Sequence, residues 1–261
     1  MATATSDDGT TIEWDERGTG SPVLLVHGIT ETMESWAPVT ERLAADHRVL
    51  TLDLRGHGRS GRADRYDLAA MAGDVIAVIG SAGAERPHIV GHSLGGAVVS
   101  AVGAAFPVAS VTNVDQPLQL AGFKDQLVAM EGQLRDPDAF PHVMTAVFEA
   151  MAGELLPPNE RSRIEGTRRS DQEVVLGVWA LLLDQSADDV ARSVDSALAG
   201  YATPYLSLFG IDPGPEYAAW LASRIPGAQV ELWEGHGHYP HLVDPDRFVA
   251  RLHQFWSSIP V

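Results

Sequence analysis

Gly91-His92-Ser93-Leu94-Gly95-Gly96 is the stretch whose reading decides the fold. The apolar run His88-Ile89-Val90 leads into it, and the Ala/Val/Gly-rich residues 97–106 lead out. That order reads as strand, sharp turn and helix. Glycines on both sides of the serine permit a turn too tight for a neighbouring Cβ. Such a turn holds the serine in a strained backbone conformation and lifts its hydroxyl above the end of a sheet. Leu94 opens a helix whose first amides have no intrahelical partner, and one of them can stabilise an oxyanion. Ser93 is the candidate nucleophile.

The rhythm on either side of this turn predicts an α/β protein. Residues 10–15 alternate weakly, as an edge strand does, and Arg17-Gly18-Thr19-Gly20-Ser21 is a hairpin-type turn. Residues 22–26 form a continuous apolar run, the mark of a strand buried on both faces, and end in His27-Gly28-Ile29-Thr30. Residues 31–45 carry helical spacing through Trp36, Val39 and Leu43. Further strands are expected at 48–52, 111–114, 204–209 and 229–233, and helices at 68–80, 215–224 and 245–256. Strands alternating with helices of this length argue a parallel sheet with crossover helices. Between Pro117 and Gly200 the rhythm stops, with helical patterns only, broken at Asp136-Pro137 and Pro157-Pro158. The expected organisation is a core of residues 1–116 and 201–261 and a helical cap of residues 117–200.

Composition narrows the function. The chain has 261 residues, 45% of them hydrophobic, and a formal net charge of −17. That supports a sizeable core, while the acidic surface opposes nucleic acid and anionic membranes. No cysteine is present, so disulfide and thiolate chemistry are excluded. The polar, acidic first residues do not read as a secretory signal, and no apolar run approaches the ~20 residues of a membrane span. A cytoplasmic location is the expectation.

Serine needs an adjacent base. Gly235-His236-Gly237-His238-Tyr239-Pro240-His241, beyond the last strand, supplies three histidines, of which chain order favours His238. A carboxylate must orient it. Asp212, after Leu208-Phe209-Gly210-Ile211, and Asp115, after Thr112-Asn113-Val114, both follow strand ends on the same sheet edge as Ser93. Asp212 is favoured and Asp115 stays open, with a turn or hinge as its other reading. The amides of Ile29 and Leu94 are the candidate oxyanion donors. Asp53 and His57 read as parts of a structural turn rather than metal ligands, and no metal is expected.

Together His27-Gly28, residues 53–60 (Asp-Leu-Arg-Gly-His-Gly-Arg-Ser), residues 91–96 and Gly237-His238 with Pro245 resemble the α/β-hydrolase superfamily over nearly the whole chain. The resemblance implies a mostly parallel eight-stranded sheet, a helical cap, and a serine, histidine and aspartate triad working without a cofactor. Asp212-Pro213-Gly214-Pro215 is stiffer than the acid loop of such proteins, which keeps Asp115 in view.

In the cap, Val174, Val175, Leu176, Val178, Trp179, Leu181, Leu182 and Leu183 would cover nearly a whole helix circumference. Such a helix is either buried or lines a cavity, and Trp179 is the candidate substrate contact. Met144, in the stripe Phe140, Met144, Phe148, and His92 are further candidates, each with a packing role as its alternative. The expected activity is hydrolysis of a small carboxylic ester or lactone with an apolar acyl or ring group. Carbon–carbon bond hydrolysis and cofactor-free perhydrolysis use the same triad, and a ligand-binding receptor is the non-enzymatic rival. Oligomeric state is not readable from the chain.

Overall fold

The structure is a computed structural model describing residues 1–259; residues 260 and 261, the last of the expected core segment, lie outside the described residues. Its centre is β3 (Ser21–Val26). Successive side chains of a strand point to opposite faces. Val23 and Leu25 accordingly join one apolar cluster and Leu24 and Val26 the other. All four are fully buried, which is why this strand reads as an unbroken apolar run.

Around β3 the sheet continues with β1 (Ala2–Thr5), β2 (Thr11–Arg17), β4 (His47–Leu52), β5 (His88–His92), β6 (Ser110–Val114), β7 (Tyr205–Phe209) and β8 (Gln229–Leu232). Their spatial order is β1-β2-β4-β3-β5-β6-β7-β8. The pairs β1–β2 and β2–β4 are antiparallel and the others parallel. Strand β1 has no counterpart in the sequence reading. Of its four residues only Ala4 is buried, so its side chains carry little signal and its pairing rests on the backbone of β2.

Helices cover both faces. Helices α2 (Leu68–Ser81) and α3 (Leu94–Ala105) pack with Met71, Val75, Val98 and Val102 on the face that receives Leu24. On the other face lie α1 (Ala37–Leu43) and the last helix, Pro245–Ser257, through Leu43, Phe248, Leu252 and Phe255. The single helix expected over 31–45 is a 3₁₀ turn, Met33–Trp36, followed by α1. Pro38 explains the division, since proline lacks an amide proton and fits only the first turn of a helix.

Between β6 and β7 run five helices: α4 (Ala121–Arg135), α5 (Phe140–Ala152), α6 (Pro158–Thr167), α7 (Gln172–Asp184) and α8 (Ala187–Leu198). Helices α4, α5, α7 and α8 share an apolar cluster with Leu127, Phe140, Met144, Val175, Trp179 and Val190, while Ile164 of α6 packs with Leu156, Tyr239 and Leu242. Asp171 and Ser186 cap α7 and α8 by accepting first-turn amides. After β7 come α9 (Tyr217–Ala222), α10 (Pro240–Val243) and the closing helix, here α11.

Close backbone approaches join α3 to β3 and to β5. A Cβ on Gly95 would stand 2.2 Å from the Val26 carbonyl oxygen, and one on Gly91 2.0 Å from the Gly95 carbonyl oxygen. Both obstructions are backbone and cannot swing aside. Gly95→Ala is expected to destabilise the fold by roughly 3 kcal/mol, read as a lowered urea midpoint at unchanged slope.

Candidate active site

Ser93 sits between β5 and α3 with φ 51° and ψ −123°, a conformation that costs energy in any residue with a side chain. The surrounding ladder holds it there. Its amide donates to the Val114 carbonyl at 2.9 Å, and its carbonyl accepts from the Gly96 amide at 2.7 Å. Two other residues with side chains and positive φ lie in the neighbouring loops: Thr30 at 64° and Asp115 at 54°.

Asp115, directly after β6, is buried and fully engaged. Its Oδ2 accepts from His238 Nδ1 at 2.6 Å, and its Oδ1 accepts from the Gly210 and Ile211 amides at 2.7 and 3.0 Å. The favoured acid, Asp212, does not meet His238. It is exposed, and its Oδ1 accepts from the Gly214 amide at 2.8 Å within its own turn. The loop after β7 thus presents amides to the histidine region, while the carboxylate comes from β6. Gly210 shows how tightly these loops stack: a Cβ there would stand 2.0 Å from the Gly237 carbonyl oxygen.

His238 is buried, and its amide donates to the Met151 carbonyl of α5 at 2.9 Å. With Nδ1–H bound to Asp115, Nε2 is the free base of the ring. Ser93 and His238 line one cavity of about 330 Å³. Its wall is mostly apolar and includes Phe123, Phe148, Met151, Trp179 and Leu182. Ile29 and Leu94 line it as well, and neither amide donates to another group among the described residues.

Trp179 faces this cavity, but two other candidate substrate contacts do not. Met144 is 1% exposed and packs in the apolar cluster of α4, α5, α7 and α8, one turn before Phe148 on the same face of α5, and does not itself line the cavity. His92 is fully buried behind Ser93, since a strand sends adjacent residues to opposite faces, and its Nε2 donates to the His238 carbonyl at 2.8 Å. Nor do the arginines of α6 or Arg168, just after it, line the cavity. Arg161 and Arg168 line a separate space of about 410 Å³ beside α5 and α6, which touches neither Ser93 nor His238. Asp53 holds a turn, accepting from the Met33 and Arg59 amides at 2.7 and 2.9 Å.

Comparison with known proteins gives the same assignment as the fold. The profile of the alpha/beta hydrolase family matches residues 23–251. The chain belongs to this family. Over 258 residues it is 36% identical to an Azorhizobium caulinodans protein provisionally named a carbamate hydrolase, RutD, with 94% of this chain and 95% of that protein covered. Among solved structures it is similar to the esterase RhEst1 from Rhodococcus sp. ECU1013, with TM-score 0.75, 27% identity and 99% of each chain covered. The fold is also that of a thermophilic esterase from Thermogutta terrifontis, with TM-score 0.80, 22% identity, and 100% of this chain and 99% of that one covered. No helix among the described residues is long and apolar enough to cross a membrane.

Burial lowers the pKa of four histidines around the site, His27, His57, His238 and His241. Burial pushes His27 down to about 4, and its Nε2 accepts from the Leu54 amide, an arrangement that requires an unprotonated nitrogen. Burial also pushes His57 to about 4 and His241 well below its ordinary value. For His238, burial and the nearby His92 ring lower the pKa, and the Asp115 carboxylate opposes them.

Two outcomes follow for the hydrolase. Asp115→Asn is expected to lower kcat by roughly 10³-fold or more through loss of the oriented tautomer, whereas Asp212→Asn leaves it within about twofold, measured on a chromogenic ester. If His238 is the base it works unprotonated, and activity is expected to fall as pH drops through its pKa. Because that pKa is depressed, the acid limb of kcat/KM is expected to have its midpoint below 6.5.

Proposed function

We propose that this hydrolase cleaves an uncharged carboxylic ester or lactone with an apolar acyl or ring group, using Ser93, His238 and Asp115. The observation that carries the reading is the Asp115–His238 pair, 2.6 Å long and buried, opening through the imidazole onto the cavity that holds Ser93. His238 Nε2 takes the Ser93 proton as the hydroxyl oxygen attacks the carbonyl carbon. Asp115 holds Nδ1–H and stabilises the imidazolium. The Ile29 and Leu94 amides, otherwise without acceptors, receive the oxyanion. Collapse expels the alcohol with the proton from His238, and water then releases the acid through the same steps reversed. A lactone keeps its alcohol tethered, so one product leaves.

The apolar wall supports the choice of substrate. Among the described residues no arginine or lysine lines the cavity, and the carboxylate that does is Asp67, the cap of α2. A substrate carboxylate would therefore lose its hydration without gaining a cation. Residues 117–200 serve as a cap in this reading, with α4, α5 and α7 closing the cavity over Ser93 and excluding water from the acyl group.

A panel of p-nitrophenyl esters of graded chain length, lactones and carbamates tests the proposal. The wild type is expected to turn over neutral apolar esters or lactones and to be labelled at Ser93 by a fluorophosphonate. Ser93→Ala should do neither. Acyl groups ending in a carboxylate are expected to lose about tenfold or more in kcat/KM against their uncharged isosteres. Turnover surviving Ser93→Ala would remove the serine mechanism.

A further inference from the structure

Behind the triad lies a buried polar cluster with no part in the acyl-transfer steps. Glu31, 2% exposed, follows the turn that carries the Ile29 amide. Its Oε2 accepts from the Gly28 amide at 3.3 Å, and its own amide donates to the Gly28 carbonyl at 3.2 Å, so the side chain and backbone close one turn. The same oxygen stands 3.5 Å from His92 Nδ1. On the far side of the ring, His92 Nε2 lies 2.8 Å from the His238 carbonyl. A carbonyl only accepts, so Nε2 carries a proton; Nδ1, the atom turned to the carboxylate, makes no hydrogen bond among the described residues, and its contact with Glu31 is attractive when the ring carries a proton on both nitrogens.

These contacts join three loops: the turn after β3, the bend carrying Ser93, and the segment carrying His238. The packing is close, since a Cβ on Gly28 would stand 3.1 Å from His92 Nδ1 and 3.2 Å from Ser93 Cβ. We propose that Glu31 and His92 are positioning residues for hydrolysis, locking the Ile29 amide, the Ser93 hydroxyl and the His238 imidazole into one register. The inference rests on the serine mechanism proposed above.

A buried carboxylate that made no difference to the site would be a poor choice for this position, because its desolvation must be offset by partners. The partners are present. Burial alone would raise the Glu31 pKa, but the facing His92 ring and then Arg168 hold it well below the usual carboxylate value. Arg168 also donates to the Tyr239 hydroxyl at 2.7 Å, next to the catalytic histidine in sequence. His241 packs against His92 with ring centroids 4.7 Å apart and planes tilted by 48°, and burial pushes its pKa well below the ordinary value. The carboxylate therefore stays ionised inside the protein, and the oxyanion turn it braces cannot relax into solvent.

The test compares Glu31→Ala, Glu31→Gln, His92→Phe and His92→Gln with wild type on one p-nitrophenyl ester that Ser93 hydrolyses. Rates are expressed per folded molecule from far-ultraviolet circular dichroism. Misaligning catalytic groups by about an ångström costs on the order of 100-fold, so Glu31→Ala and His92→Phe should lose about that in kcat with KM within about twofold. His92→Gln places an amide donor near the lost Nε2 and should recover at least about tenfold over His92→Phe. Glu31→Gln keeps the shape and should lose about tenfold in kcat, giving a readout even if the alanine variant does not fold. The proposal is overturned if Glu31→Gln and His92→Phe keep kcat near wild type, or if both histidine variants fall equally. Turnover by Ser93→Ala, in contrast, would defeat the serine mechanism itself.

Discussion

The constraint on which the site depends is the close approach between the backbone of α3 and the end of β3. The Gly95 Cα faces the Val26 carbonyl with no room for a methyl group, and Gly91 faces the Gly95 carbonyl in the same way. That contact fixes where α3 begins, and the start of α3 fixes Ser93 at φ 51°. The turn also brings the first amide of α3 beside the loop after β3, where Ile29 sits. The proposed nucleophile and the Ile29 and Leu94 amides converge because the two backbones are held at a distance that only glycine allows.

The remaining catalytic geometry depends on how polar groups are shared below the cavity floor. Asp115 has four interactions to satisfy in a buried place and finds three hydrogen bonds: two amides from the loop after β7 and the Nδ1–H of His238. His238 in turn is fixed from two further directions, by the Met151 carbonyl of α5 and by His92. The base is thus attached to the helices between β6 and β7 as well as to the sheet. Movement of α5 would reach His238, the proposed base, through one hydrogen bond.

Strain and burial are distributed accordingly. Three of the four residues with side chains and positive φ among those described, Thr30, Ser93 and Asp115, belong to the loops at the carboxyl edge of the sheet. Strain of this kind persists only where surrounding contacts over-determine it. Around the site they do so through hydrogen bonds of the strands, the glycine contacts and the Glu31–His92 pair. Apolar side chains supply the rest, with Trp36 and Phe248 packed around His241 from the opposite face of the sheet.

The strands, the crossover helices, the sharp turn at Ser93 and the family were determined by local patterns. Each rests on short-range physics: apolar runs that need two buried faces, glycines where a Cβ has no space, and proline at helix starts. The edge strand β1 escaped because an exposed strand of small polar residues leaves its mark in backbone pairing rather than in side-chain pattern. The partner of His238 was decided only in three dimensions. Asp115 and Asp212 follow adjacent parallel strands, both on the carboxyl edge, so spacing along the chain treats them alike. What separates them is the direction each side chain takes as its loop leaves the sheet. Asp115 turns inward at positive φ, while Asp212 closes its own turn in solvent. The same holds for Glu31, Met144 and His92, whose neighbours come from distant segments and whose roles follow from which side of a strand or helix the folded chain turned inward.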